Sequence, residues 1–209
     1  ADGSNGTHFL PLNTSTPAVF FRMCWCPASF GGESCASSQD FRVDAGALIV
    51  KGPFTRVDTL CAAGQTCTLG PWDGALLALS DRVLIIAESD QCATAPADSQ
   101  IAQGEPKDVT CNLELTTCQA SLASIETQHG GLFKVCYCVT YLDLNGTDTL
   151  PCTDMSEFTS YASNLQVRGP FGYQTFDCVV GVNCDITISG FMLSSLDRIK
   201  LVKDGFPCN

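Results

Sequence analysis

The chain is poor in the residues that mark an enzyme, a membrane span or a nucleic-acid binder. Of 209 residues only two are histidine, His8 and His129. No Gly-x-Ser-x-Gly surrounds a serine, and no glycine-rich loop has the spacing that cradles phosphate. No catalytic residue is assigned, and enzyme activity is not expected. Eleven Lys and Arg face 22 Asp and Glu, a net charge of −11. That potential repels a phosphate backbone and excludes nucleic acid as a partner. The longest apolar runs, 75–79 and 83–87, are five residues each. A bilayer needs roughly 20, so no membrane span is expected. No window of fifteen residues holds a helical stripe free of Gly and Pro, and the best helical candidate is the short stretch 119–128. Charged residues are 16%, yet 45% are apolar and the mean hydropathy is +0.14, which excludes a disordered acidic tail.

Cysteine is abundant, with fourteen residues. An even number, no Cys-x-x-Cys and almost no histidine favour disulfides over zinc or iron–sulfur clusters. No metal and no cofactor is assigned. The chain is read as secreted, extracellular or exposed at a cell surface. With no Met and no charged, apolar leader at its start, it is expected to begin at a processed end.

Written with their intervals, the cysteines reveal two copies of one pattern. Cys24, Cys26, Cys35, Cys61, Cys67 and Cys92 are spaced 2, 9, 26, 6 and 25. Cys136, Cys138, Cys152, Cys178, Cys184 and Cys208 are spaced 2, 14, 26, 6 and 24. The copies differ by one five-residue insertion and one single-residue deletion. The residues between agree: Phe21-Arg22-Met23-Cys24-Trp25-Cys26 matches Phe133-Lys134-Val135-Cys136-Tyr137-Cys138. Lys51-Gly52-Pro53-Phe54 matches Arg168-Gly169-Pro170-Phe171, and Asp81-Arg82-Val83 matches Asp197-Arg198-Ile199. Phe41, Leu48, Val50, Gly64, Gly74 and Leu77 match Phe158, Leu165, Val167, Gly181, Gly190 and Leu193.

This predicts an arm over 1–18, a first repeat over 19–92, a linker over 93–110 and a second repeat over 111–209. Short apolar runs at 47–50, 83–87, 165–167 and 199–202, bounded by Gly, Pro, Asp and Ser, read as strands. Turn signals every 8 to 12 residues make the expected fold all-β, two tandem disulfide-stapled β-sandwiches of immunoglobulin-like size.

On a strand, Cys24 and Cys26 point to one face and cannot easily pair with each other; Cys136 and Cys138 are alike. Each is expected to reach another strand, with Cys35 and Cys92 as candidates in the first copy, Cys152 and Cys208 in the second. Cys61 with Cys67 and Cys178 with Cys184 read as stapled hairpins, with Gly64 and Gly181 inside the gaps. Cys111 and Cys118 lie ahead of the second copy, in a segment without a counterpart in the first. They either close a local loop or bridge elsewhere. The charged pairs Asp81-Arg82 and Asp197-Arg198 read as turns leading into strands, and the two Gly-Pro-Phe segments as turns with an anchoring aromatic.

Asn5, Asn13 and Asn145 open Asn-x-Ser/Thr sequons and are candidate acceptors of covalent glycans. Asn145 sits in the five-residue insertion, between Cys138 and Cys152, by which the second copy differs from the first. The segment Asp143-Leu144-Asn145-Gly146-Thr147-Asp148 places oxygens at alternate positions as a calcium loop does. Asp154 stands where such a loop needs a bidentate Glu, so calcium is not assigned. The arm carries Phe9, Leu10 and Leu12. It reads as a flexible terminus or as a segment laid along a neighbouring molecule.

The pattern Phe-Arg/Lys-x-Cys-Trp/Tyr-Cys, then Gly-Pro-Phe, Cys-x5-Cys and Asp-Arg-Val/Ile before a closing cysteine resembles the Cys-rich repeats of large extracellular proteins from microbial eukaryotes. In overall plan the chain is also similar to subunits of glycosylated extracellular filaments built from immunoglobulin-like domains. The resemblance implies surface or fibre architecture and no catalytic residues. The expected function is that of a structural protomer of an extracellular, glycosylated fibre. Its partners would be copies of itself, assembled head to tail with the arm on a neighbour. The alternative is a cell-surface adhesion or binding module of a longer repeat protein, which recognises a glycan or protein through its loops.

Overall fold

The computed structural model describes residues 20–27, 35–95, 105–123, 129–140, 152–206 and 208. Among them lie eleven strands: β1 Phe20–Trp25, β2 Val43–Ile49, β3 Gly52–Pro53, β4 Thr59–Ala62, β5 Cys67–Ala75, β6 Arg82–Ala87, β7 Lys107–Cys111, β8 Thr117–Leu122, β9 Gly131–Cys138, β10 Ser160–Pro170 and β11 Gly190–Phe191. The helical elements among the described residues are single 3-10 turns, Ser38–Asp40 and Met155–Glu157. The all-β expectation holds.

The division into strands differs from the expected one. β1 and β2 form a two-stranded sheet, while the other nine share one sheet in the order β11-β10-β9-β6-β7-β8-β5-β3, with β4 alongside β10. The expected boundary between two separate sandwiches is crossed, because β6 of the first copy pairs with β9 of the second. The sheet curls over itself, bringing Trp72 on β5 within 3.3 Å of Ser163 Oγ on β10.

β6 shows why this arrangement is favoured. Flanked by β9 on one side and β7 on the other, its Arg-Val-Leu-Ile-Ile-Ala run is apolar on both faces, as a central strand requires. With the period-2 alternation of a strand, Val83 and Ile85 enter one core with Trp72, Leu77 and Tyr137. Leu84 and Ile86 enter a second core with Cys136, Cys138, Cys152 and Phe158. Each such side chain contributes about 1.5–3 kcal/mol on burial.

The stretch 119–128 is not helical in its first part. Cys118, Ala120 and Leu122 are buried while Gln119 and Ser121 are exposed, a period of two, and β8 pairs with both β7 and β5. Residues 124–128 lie outside the described residues. Lys107–Cys111, expected partly in a linker, is β7, and the β7–β8 pair sits between β6 and β5 of the first copy. Residues 83–87 and 165–167 are strand as expected and 47–50 is strand as far as Ile49, whereas 199–202 is not.

Candidate inter-repeat interface

The most developed polar and covalent site lies along the seam between the copies. β6 and β9 run antiparallel, from Arg82 opposite Cys138 through Leu84 opposite Cys136 to Ala87 opposite Phe133. At one end of the seam Asp81 is fully buried. Its carboxylate accepts hydrogen bonds from the Ala78 amide (2.9 Å), the Tyr137 hydroxyl (3.0 Å), the Thr140 amide (2.8 Å) and the Thr140 hydroxyl (3.0 Å). Four donors from both copies replace the water that the charge has lost. Burial, and after it the Asp81 charge, pushes the Tyr137 phenol well above its ordinary range. The Tyr137 ring meets Trp72 edge-on, with centroids 5.9 Å apart and planes at 82°. Arg82 pairs with Asp108 on β7 at 2.7 Å.

Six disulfides join twelve of the cysteines. Cys26–Cys35, Cys61–Cys67, Cys111–Cys118, Cys138–Cys152 and Cys178–Cys184 agree with the expected options. Cys92 does not pair inside its own copy; it bonds to Cys136, across the seam. The reason is the β6–β9 pairing, which places Cys136 on the face that β6 shares with Leu84 and Ile86, where Cys92 packs. Cys24 and Cys208, expected in disulfides, are free and exposed.

These two thiols are the counterparts of the bonded pair: Cys24 matches Cys136, and Cys208 matches Cys92. The surroundings match as well. The β1–β2 pair repeats the β9–β10 pair residue for residue, Trp25 opposite Val43 as Tyr137 opposite Ser160, and Phe21 opposite Leu48 as Phe133 opposite Leu165. Even the bulge recurs, between Met23 and Cys24 in one and facing Val135 and Cys136 in the other. Both 3-10 turns carry a reciprocal capping box, Ser37 with Asp40 and Asp154 with Glu157. Burial does not match: Trp25 is 48% exposed and Tyr137 0%, Phe41 43% and Phe158 0%. In the second copy Ile199 and Leu201 are 67% and 85% exposed, where Val83 and Ile85 are 0% and 3%. A cleft of about 510 Å³ beside this exposed segment is lined by Arg168, Ile188, Leu193, Asp197 and Ile199, among others.

The remaining expected sites are not brought together here. Asn5, Asn13, Asn145, Phe9, Leu10, Leu12, His8 and the segment 143–148 lie outside the described residues. The His129 ring lies against Tyr173, with centroids 5.2 Å apart. Among the described residues no group of three or more His, Cys, Asp or Glu is placed to hold a metal, and no helix is long and apolar enough to cross a membrane. From the sequence, Asp81 is expected in a turn that leads into a strand. The carboxylate does close a turn onto Ala78, and it also receives Tyr137 and Thr140. Repetition of Asp-Arg ahead of an apolar run was the signal, but its donors lie 56 and 59 residues away.

No family profile matches the chain, and no solved structure matches it. It is 24% identical over 211 residues to Cysteine repeat modular protein B of Toxoplasma gondii. The match takes in 86% of this chain and 3% of that relative's length. The chain is thus a cysteine-rich, all-β repeat protein similar to a small part of a much longer one.

Proposed function

We propose that the protein is a structural module of an extracellular or cell-surface protein built from repeated cysteine-rich units, in which it supplies a rigid length of stalk or fibre. The observation that carries this reading is the seam. One sheet, one buried carboxylate and the Cys92–Cys136 disulfide hold the copies together, so a pull along the chain meets a cross-linked body. Six disulfides suit an oxidising compartment, and the resemblance to a cysteine repeat modular protein points the same way. The finer form of the proposal is a glycosylated fibre with immunoglobulin-like packing. Its glycans would sit on Asn5, Asn13 and Asn145, and Phe9, Leu10 and Leu12 of the arm would contact a neighbour.

Antibody raised against the folded chain tests the reading on intact, non-permeabilised cells of the source organism. Surface labelling along filaments or a coat is the expected result. Labelling seen only after permeabilisation, in a reducing compartment, would overturn it.

A further inference from the structure

Residues 20–26 and 198–208 correspond in sequence to 132–138 and 82–92, the two sides of the closed seam. In the closed seam β9 is held by β10 on one edge and by β6 on the other. The matching strand β1 has β2 on one edge and, among the described residues, no strand on the other. The matching counterpart of β6, residues 198–203, is the segment that the expected strand at 199–202 failed to become. In the cleft, Ile188, Leu193, Asp197 and Ile199 stand where the first copy has Trp72, Leu77, Asp81 and Val83. All four of those are buried, three in one core with Tyr137 and the fourth hydrogen-bonded to its hydroxyl. The single-residue deletion lies between Cys67 and Gly74, the interval that holds the bulge of β5, and counting back from the matched Gly74 and Gly190 sets Ile188 against Trp72. The residue that corresponds to Tyr137 is Trp25.

We infer that residues 198–203 of one copy add as an antiparallel strand to the open edge of β1 in a second copy of this chain, with Trp25 entering the cleft and Cys208 bonding to Cys24. The register carries over from the closed seam: Arg198 faces Cys26, Ile199 faces Trp25, Lys200 faces Cys24, Leu201 faces Met23, Val202 faces Arg22 and Lys203 faces Phe21. The Trp25 indole N–H takes the place of the Tyr137 hydroxyl as a donor to Asp197. Two positions depart from the pattern, since Lys200 and Lys203 replace Leu84 and Ala87. A lysine stem covers apolar surface while its ammonium reaches water, so the joint gains less from burial than the seam and depends more on its disulfide. The contact is heterologous, so it propagates head to tail as an open array wherever the rotation between successive copies does not close a ring.

Disulfide formation needs an oxidant. Cys24 and Cys208 thiols lose two protons and two electrons to a small disulfide such as oxidised glutathione, which leaves as two thiols. The inference rests on reading the chain as a repeat module, and cystine mapping on purified protein tests it independently of where the protein resides in the cell. Equal amounts of unlabelled and nitrogen-15 chain are mixed in a glutathione redox buffer and digested without reduction. A ladder on a non-reducing gel and a mixed-isotope Cys24–Cys208 peptide are expected. Monomers whose two thiols both remain open to alkylation, or a Cys24–Cys208 peptide of single isotope only, would overturn the inference. Cys24→Ser and Cys208→Ser chains are expected to give a heterodimer and nothing longer when mixed, and monomers when separate. Dimers from either variant alone would mean indiscriminate thiol pairing and would also overturn it. Trp25→Asp keeps both thiols and slows the mixed disulfide about tenfold through loss of a buried aromatic. An unchanged rate would show that no strand docks.

Discussion

The Tyr137 hydroxyl of the second copy donates to the Asp81 carboxylate of the first at 3.0 Å, in a site neither residue reaches without the other's copy. The same carboxylate takes the Thr140 amide and hydroxyl, so a charge from one repeat is solvated by the next. The repeats of this chain are therefore units of sequence, and the folded unit is assembled from the end of one copy and the beginning of the following one.

Asp81→Ala leaves the Tyr137 hydroxyl, the Thr140 hydroxyl and two amides without their acceptor in a buried site. It is expected to cost about 3 kcal/mol, the range for stranding buried polar groups. Asp197→Ala, at the matched position, removes a half-exposed ion pair to Arg168 and is expected to cost under about 1 kcal/mol. Urea unfolding of both variants checks the contrast, and equal losses would show that the closed seam adds nothing.

Tyr137 gives the seam an alkaline limit. Its pKa in the folded chain lies above the ordinary 10.0, raised by burial first and by the Asp81 charge second. The unfolded chain therefore ionises first. Stability from this group is complete below about pH 10 and falls above it, by up to about 1.4 kcal/mol per pH unit. Urea midpoints measured on thiol-alkylated protein across this window are expected to decline, and in Tyr137→Phe the decline is expected to be shallower.

The disulfides are unequal in effect. Cys92–Cys136 closes 44 residues and Cys61–Cys67 closes six. Chain-entropy arithmetic gives about 4 kcal/mol for the first and about 2 for the second. Paired Cys→Ser variants of each, compared by thermal unfolding, are expected to rank in that order.

Gly74 and Gly190 are fixed by their neighbours' backbones. A Cβ on Gly74 would lie 2.5 Å from the Gly52 carbonyl oxygen, and one on Gly190 would strike the carbonyl oxygen of Gly169, the matched residue. Gly74→Ala is expected to cost about 1–3 kcal/mol, as overpacking in a core does. Gly190→Ala, beside the short β10–β11 contact, is expected to cost less. Thermal unfolding of the two variants orders them.

Much of this was legible in the residues. Cysteine intervals and the matched segments established two copies, and short alternating runs gave β2, β6 and β10 their places. The hairpin staple Cys61–Cys67 was legible as a five-residue gap with Gly64 inside it, the mark of a local loop. Cys92 was not legible in this way. Its partner is 44 residues off, and with Cys-x-Cys in both copies four thiols offered themselves at similar cost in loop entropy.

By itself the sequence determined the repeat, the all-β character and the predominance of disulfides, since each is written in periodicity, spacing or composition. Only the tertiary structure decided where a folded unit begins and ends. A strand's partner is chosen by which apolar faces can be buried together, and that choice joined β6 to β9 across the repeat boundary. The same choice left Trp25, Cys24, Ile199 and Cys208 exposed, although sequence alone makes them equivalent to residues at the centre of the fold.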